Sequence, residues 1–348
     1  MIKELIETGT LLQVKAGDEA EARKIGTLRG GSCGMIREDG TIVGACAAEA
    51  WARYKGINGM PVNISKELMF AGGRANEDLW LASLKESYKG PILCEEDIPL
   101  VYETNSGIKV TGRPDIVLCE GEENKPVCLL ELKQVMASYS AYNVLIKKTP
   151  MLKHVIQAAW YTYQLGCNGE LWYTSRQNIT CDAWMDHNPR FPNPGEPGSE
   201  NFNYRYYRLG KINARSGKPT KHKSNEQEFH TLNPKERRAE VKNFLPFLQG
   251  FLLDIDSNGQ VYVQDAMVEG AQWKETTVNI NDIKRWYNYI ADLEKKTKVV
   301  PPSYRNVDIW GEDIGFKFES QFGPELDPAK WEGKPLELWL SELKERIK

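Results

Sequence analysis

Two short stretches of this chain carry residue types that could do chemistry together. Gly112-Arg113-Pro114-Asp115 leads into one apolar run, and Glu131-Leu132-Lys133 ends another. If the polar residues 120–125 form a hairpin turn, the register places Asp115 opposite about Lys133 and Glu131 opposite about Val117. Side chains alternate along a strand, so Asp115, Glu131 and Lys133 project from one face. Leu130 and Leu132 then project from the other, into the core. Two carboxylates and one ammonium would converge at a strand end. Carboxylate oxygens are hard ligands suited to Mg²⁺ or Mn²⁺, and the Leu132 carbonyl could add a further oxygen. Lys133 could orient an attacking water or stabilise the charge that develops on a phosphate. This is equipment for hydrolysing a phosphodiester. The same residues would also make an ordinary strand-end salt bridge.

The elements around these residues read as α/β. Residues 1–28 carry weak helical patterns, and Arg29-Gly-Gly-Ser-Cys-Gly34 is a glycine-rich turn. It lacks the Gly-Lys-Ser/Thr ending of a nucleotide-binding loop and reads as a plain turn. Helical spacing appears from Gly44 to Tyr54, with Trp51 as core anchor, and from about Ser65 (a candidate N-cap) to Ser87. A β-rich block follows. Strands are expected at Ile92–Tyr102, Ile108–Gly112, Asp115–Cys119 and Pro126–Val135. A helix over Met151–Leu165 ends at Gly166, and Glu170–Ser175 resumes as a strand. Residues 186–201 are rich in Pro, Asn and Gly, as a loop or boundary is. Beyond it the patterns suggest a helix near 234–249, a hairpin near 260–280, a helix near 281–296 and a last helix near 335–347.

In order and spacing, Pro114-Asp115 and Glu131-Leu132-Lys133 resemble the PD-(D/E)xK nuclease superfamily. Within it, the chain is most similar to RecB-type nucleases, phage exonucleases such as lambda exonuclease, and CRISPR-adaptation nucleases. Those carry a helical Gln-x-x-x-Tyr after the Glu-x-Lys strand, and Gln157-Ala-Ala-Trp-Tyr161 stands there in this chain. Residues four apart share a helix face, so Gln157 and Tyr161 can both point at one site. The resemblance implies that they position the substrate and the lysine. Gly73-Arg-Ala-Asn-Glu77 matches an upstream family motif and implies Glu77 as a further metal ligand. The resemblance covers roughly residues 29–175. It implies a restriction-endonuclease-like core, a mixed central sheet flanked by helices, over 1–185. Residues 186–348 would be a C-terminal extension packed on that core and contributing to DNA binding. The glycine turn and the helix after it look similar to a DNA-gripping segment of phage members. Arg29, Ser32, Arg53 and Arg113 are accordingly candidate DNA contacts, with Tyr206 and Arg208 from the later stretch.

Many relatives hold an iron–sulfur cluster through one early cysteine and three near the C-terminus. This chain has seven cysteines, none after Cys181 and no Cys-x-x-Cys pair. No cluster is expected, and Mg²⁺ or Mn²⁺ is the implied cofactor. The expected activity is a metal-dependent deoxyribonuclease, with an exonuclease acting in recombination, repair or phage DNA metabolism preferred on resemblance. A structure-specific endonuclease and a catalytically silent DNA-binding or assembly module are the alternatives.

Composition frames these readings. The 348 residues are 41% hydrophobic and 27% charged, close to a globular average. No run approaches the roughly 18 apolar residues of a membrane helix, and the acidic start lacks a signal-like apolar stretch. A cytoplasmic protein is expected, in the host cytoplasm if the chain is viral. The net charge of −3 gives no global argument for nucleic acid. Basic and aromatic residues are nevertheless concentrated in 204–242, where Lys and Arg could follow a phosphate backbone and Tyr206 could stack on bases. DNA is the expected partner. A helicase or a recombinase (annealing) protein would be a separate chain, since no motor motif is present, and an oligomer is compatible with the resemblance.

Overall fold

A computed structural model describes residues 26–57, 64–94, 97–98, 100–135, 142–174, 248–314, 320 and 322–346. The fold is mixed α/β. Its centre is a seven-stranded sheet in the order β12-β11-β10-β9-β8-β7-β4. These strands are β4 (Ile92–Cys94), β7 (Ile116–Glu120), β8 (Lys125–Gln134), β9 (Asn168–Thr174), β10 (Leu248–Ile255), β11 (Gln260–Asp265) and β12 (Lys274–Asn279). β8 and β9 run parallel, and the remaining neighbours run antiparallel. A parallel pair needs a crossover, which the helix Leu152–Leu165 supplies.

A small second sheet, β1-β6-β5, joins β1 (Leu28–Arg29), β5 (Leu100–Glu103) and β6 (Lys109–Gly112). A two-stranded ribbon joins β2 (Met35–Ile36) and β3 (Ile42–Val43). The helices are α1 (Ala47–Tyr54), α2 (Ile64–Ser87), α3 (Leu152–Leu165), α4 (Ile280–Asp292), α5 (Pro328–Trp331) and α6 (Leu336–Arg346).

β8 shows why one sheet has two cores. Val117 and Leu129 lie in the main core with α3 and α4, whereas Ile116, Leu130 and Leu132 form a second cluster. Trp80, Leu81 and Leu84 of α2 pack on that second cluster. Alternation at period two therefore buries both faces of the strand. α3 is buried on nearly every side, from Val155 through Thr162 apart from Gln157. It sits between the sheet, α4 and the glycine turn. Trp160 meets Tyr102 edge-on at 5.2 Å and Tyr287 of α4 at 5.1 Å. Each such burial contributes roughly 1.5–3 kcal/mol. Gly166 ends the helix in the left-handed region (φ 62°), with its N–H donating to the Thr162 carbonyl.

Several expectations change. Ile92–Tyr102 is two strands in two sheets, because the chain turns at Asp97, whose N–H donates to the Cys94 carbonyl. Ser65 lies inside α2 and is not its cap. The helix expected near 234–249 fails at its described end, since Leu248 and Gln249 begin β10, where Gln249 is fully buried in the sheet. Three strands, and not a hairpin alone, occupy 248–279, and they continue the central sheet. The central hairpin is shifted by two residues: Ile116 pairs with Leu130 and Val117 with Leu129. An irregularity at Leu118/Cys119 accommodates the Glu120–Lys125 turn. An even shift leaves every side chain on its expected face. All of 204–242, with Tyr206 and Arg208, lies outside the described residues, as does a boundary near 185.

Candidate active site

The chain leaves the small sheet at Gly112 and enters the central one at Ile116. Pro114 and Asp115 occupy the crossing, where a residue without an N–H breaks no ladder. Asp115 is therefore free to turn its side chain to the neighbouring strand. Its Oδ2 accepts a hydrogen bond from the Leu132 N–H at 2.7 Å. Two residues apart on β8, Glu131 and Lys133 share the α3 face. The Lys133 ammonium donates to Glu131 Oε1 at 2.5 Å and lies 3.5 Å from Asp115 Oδ2. The expected convergence of the three side chains is present.

Burial makes this group energetically unusual. Glu131 is fully buried, and its Oε2 has no hydrogen-bond partner. Burial and then the charge of Asp115 push the Glu131 carboxyl up to about 8, and Lys133 offsets only part of that rise. Burial alone would lower Lys133, but the charges of Glu131 and Asp115 outweigh it and hold its value above the ordinary one. Lys133 is thus a locked cation between two carboxylates. The charge of Glu77 on α2 also raises both Glu131 and Lys133, which puts it within electrostatic reach of the group.

Among the described residues, no three His, Cys, Asp or Glu side chains group closely enough to enclose a metal by themselves. Mg²⁺ does not need such a cage, since one or two carboxylates plus waters suffice. Asp115 and Glu131 fit that requirement on one observation in particular. The orphaned Glu131 Oε2 is a buried acceptor with nothing to accept from, beside a second carboxylate that raises its energy. A divalent cation would relieve both.

Gln157 and Tyr161 lie on the turn-spaced face of α3 that meets the glycine turn. A Cβ on Gly31 would stand 3.4 Å from both Gln157 Nε2 and the Tyr161 hydroxyl. The Tyr161 ring lies against the neighbouring Gly30 and Gly112. Burial, then the charge of Glu131, raises the Tyr161 phenol well above its usual value, so it stays protonated. The glycine turn therefore packs against the helix on one side, while Gly31 lines the cleft on the other. It forms a close-packed wall against the helix.

A cleft of about 380 Å³ opens beside Lys133. Gly31 and Gln157 line it, as do Glu49 and Arg53 of α1. Of the expected DNA contacts, Arg53 is in this cleft, whereas Arg113 is exposed beside Asp115 and Arg29 is half-buried in β1. Ser32 lies in the short 3-10 turn after Arg29. Sequence reasoning missed Lys153, which also lines the cleft. Its signal was present: 153, 157 and 161 form one i, i+4, i+8 stripe. Ser303, Tyr304, Ser320 and Asp327 from the C-terminal part complete the wall. No local pattern marked them.

His154, also at the cleft, is half-buried. Its Nδ1 lies 3.1 Å from the Tyr173 hydroxyl, and burial with the charges of Lys153 and Lys133 keeps the ring neutral. Burial pushes the Cys33 and Cys46 thiols up to about 12, which makes them poor nucleophiles. The six described cysteines are free. Among the described residues, no helix is long and apolar enough to cross a membrane. Compared with known proteins, the chain matches no family model, no curated protein and no solved structure.

Proposed function

We propose that this protein is a metal-dependent deoxyribonuclease that hydrolyses phosphodiester bonds. The observation that carries the reading is the Asp115–Glu131–Lys133 group, with an orphaned buried carboxylate oxygen and with Lys133 lining a polar cleft. Asp115 and Glu131 would hold Mg²⁺ or Mn²⁺, with the Leu132 carbonyl on the same strand and Glu77 contributing from further out. When bound, the cation supplies Lewis-acid assistance to attack on a phosphate.

The protein's own groups account for the rest. Lys133 faces the cleft and presents a fixed positive charge where a phosphate gains negative charge. Gln157 donates or accepts at the cleft wall and orients the substrate. Tyr161 holds the turn that shapes the wall. Action on DNA ends is the preferred mode, by resemblance to phage exonucleases.

The test is cleavage of end-labelled linear and closed-circular DNA with Mg²⁺, by the wild-type protein and by Asp115→Ala and Lys133→Ala. Loss of cleavage in both variants supports the reading, and full activity in both sinks it. Cleavage of closed circles would favour the endonuclease mode.

A further inference from the structure

We infer that His154 is a further substrate contact of the cleft: Tyr173 fixes its tautomer so that Nε2 carries the ring proton and donates it in a hydrogen bond to a phosphate oxygen of bound DNA. This rests on the nuclease reading and adds to it a contact residue and a positioning residue outside the Asp115–Glu131–Lys133 group and the Gln157–Tyr161 pair.

Strand register puts the two in place. Tyr173 of β9 is paired with Lys133 of β8, so both side chains rise from the α3 face of the sheet. His154 lies in the first turn of α3, three residues before Gln157, and lines the same cleft as Lys133 and Gln157. Tyr173 itself is fully buried.

Hydrogen-bond partners then select the tautomer. The Met151 N–H donates to the Tyr173 hydroxyl oxygen at 3.1 Å. The hydroxyl keeps its own proton, and in a buried site that proton needs an acceptor. Among the described residues, the acceptor within reach is His154 Nδ1, at 3.1 Å. Gln249, the neighbour of Tyr173 on β10, is committed instead to Lys148, Gly250 and Asp265. If Nδ1 carried the ring proton, the Tyr173 hydroxyl would accept twice and leave its own proton unpaired. Nδ1 therefore accepts, and the ring proton sits on Nε2.

This choice decides what the ring can do. Nε2 has no hydrogen-bond partner among the described residues, and the ring lines the cleft. As an N–H it only donates, so it does not take the proton of an attacking water. The group opposite it must be an acceptor. Lys133 and Lys153 line the cleft beside it, and their charges favour an acceptor that is anionic. The non-bridging oxygens of a phosphodiester are such acceptors. The other tautomer would turn a lone pair toward the phosphate and repel it. The same two lysines, with burial, oppose a second proton on the ring, so the donor is a neutral one.

The experiment labels the four histidines of the full-length protein with ¹⁵N and records long-range ¹H–¹⁵N correlations at pH 7.5 without divalent metal. His154→Gln identifies the His154 signals. Nε2 should be the protonated nitrogen, and a short DNA hairpin should shift it. In Mg²⁺-dependent cleavage, His154→Phe should raise KM about tenfold and leave kcat within about twofold. His154→Gln keeps an N–H donor and should restore most of the KM. Tyr173→Phe should raise KM in the wild type and add nothing in His154→Phe, which a mere loss of packing would not predict. A proton on Nδ1, an unmoved His154 signal at saturating DNA, or wild-type KM in His154→Phe each overturns the proposal. If His154→Phe does not fold, the wild-type spectrum and its DNA titration decide by themselves. A DNA-induced shift at Nε2 without Mg²⁺-dependent cleavage would overturn the nuclease reading and leave this contact standing. Cleavage by His154→Phe at the wild-type KM would do the reverse.

Discussion

The Tyr161 ring lies against the bare backbone of Gly112: a Cβ there would come within 2.4 Å of ring carbon Cε1. A Cβ on Gly30 would meet the same carbon at 2.8 Å and the Gly112 Cα at 3.2 Å, so the two neighbouring glycines form one bare patch against the ring. Neither glycine has a positive φ, so the requirement is steric. This contact joins the glycine turn, the strand leading to Asp115 and the helix carrying Gln157. The site depends on it for its shape.

Gly112→Ala should therefore destabilise the protein by about 1–3 kcal/mol, the usual cost of overpacking. Cleavage should fall with it, because Asp115 is three residues away. Combining Gly112→Ala with Tyr161→Ala should recover part of the stability, since the small side chain removes the clash. Thermal melts of the two single variants and the double variant measure the coupling. Strictly additive losses would contradict the contact.

Lys133→Met should abolish cleavage and also cost about 3–5 kcal/mol, because it leaves Glu131 buried without its cation. Glu131→Gln combined with Lys133→Met should recover much of the melting temperature and none of the activity. Separate recovery of the two properties would show that the ion pair's stability role differs from its chemical one.

In the metal-free protein, Glu131 should make stability fall as pH rises. Its folded value is raised from 4.5 to about 8, so its contribution is full below pH 4.5 and is lost through pH 8. Glu131→Gln should melt higher than wild type at pH 8.5 without metal. Mg²⁺ or Mn²⁺ should raise the wild-type melting temperature more at pH 8 than at pH 6, and should barely move that of Glu131→Gln. Differential scanning fluorimetry across pH, with and without metal, reads both effects.

His154 should act with the opposite sign. Its folded value lies well below 6.5, because burial and then Lys153 and Lys133 oppose its charge. Above pH 6.5 the ring is neutral in both states. Below it, the unfolded chain takes up a proton that the folded one refuses, at up to about 1.4 kcal/mol per pH unit. His154→Gln should flatten the melting curve between pH 6.5 and 5 and leave pH 8 nearly unchanged. An unaltered slope would mean that the ring is not held neutral.

The amino-acid sequence by itself determined which residues share a face. Alternation in Leu129-Leu130-Glu131-Leu132-Lys133 puts the charged pair on one side of β8, and the spacing of Gln157 and Tyr161 puts them on one side of α3. These are local properties of the strand and helix repeats, and they survived a two-residue shift in the hairpin because the shift was even. Only the tertiary structure decided which segments meet. β10 lies beside β9 from beyond residue 248, and Ser320 closes on Glu49 across 271 positions. Nothing periodic records such pairings. They follow from how apolar faces are covered once α3 has crossed between β8 and β9. The same packing set the depth of Glu131, and depth, more than identity, turns an Asp–Glu–Lys cluster from a surface ion pair into a charged group with an unsatisfied oxygen.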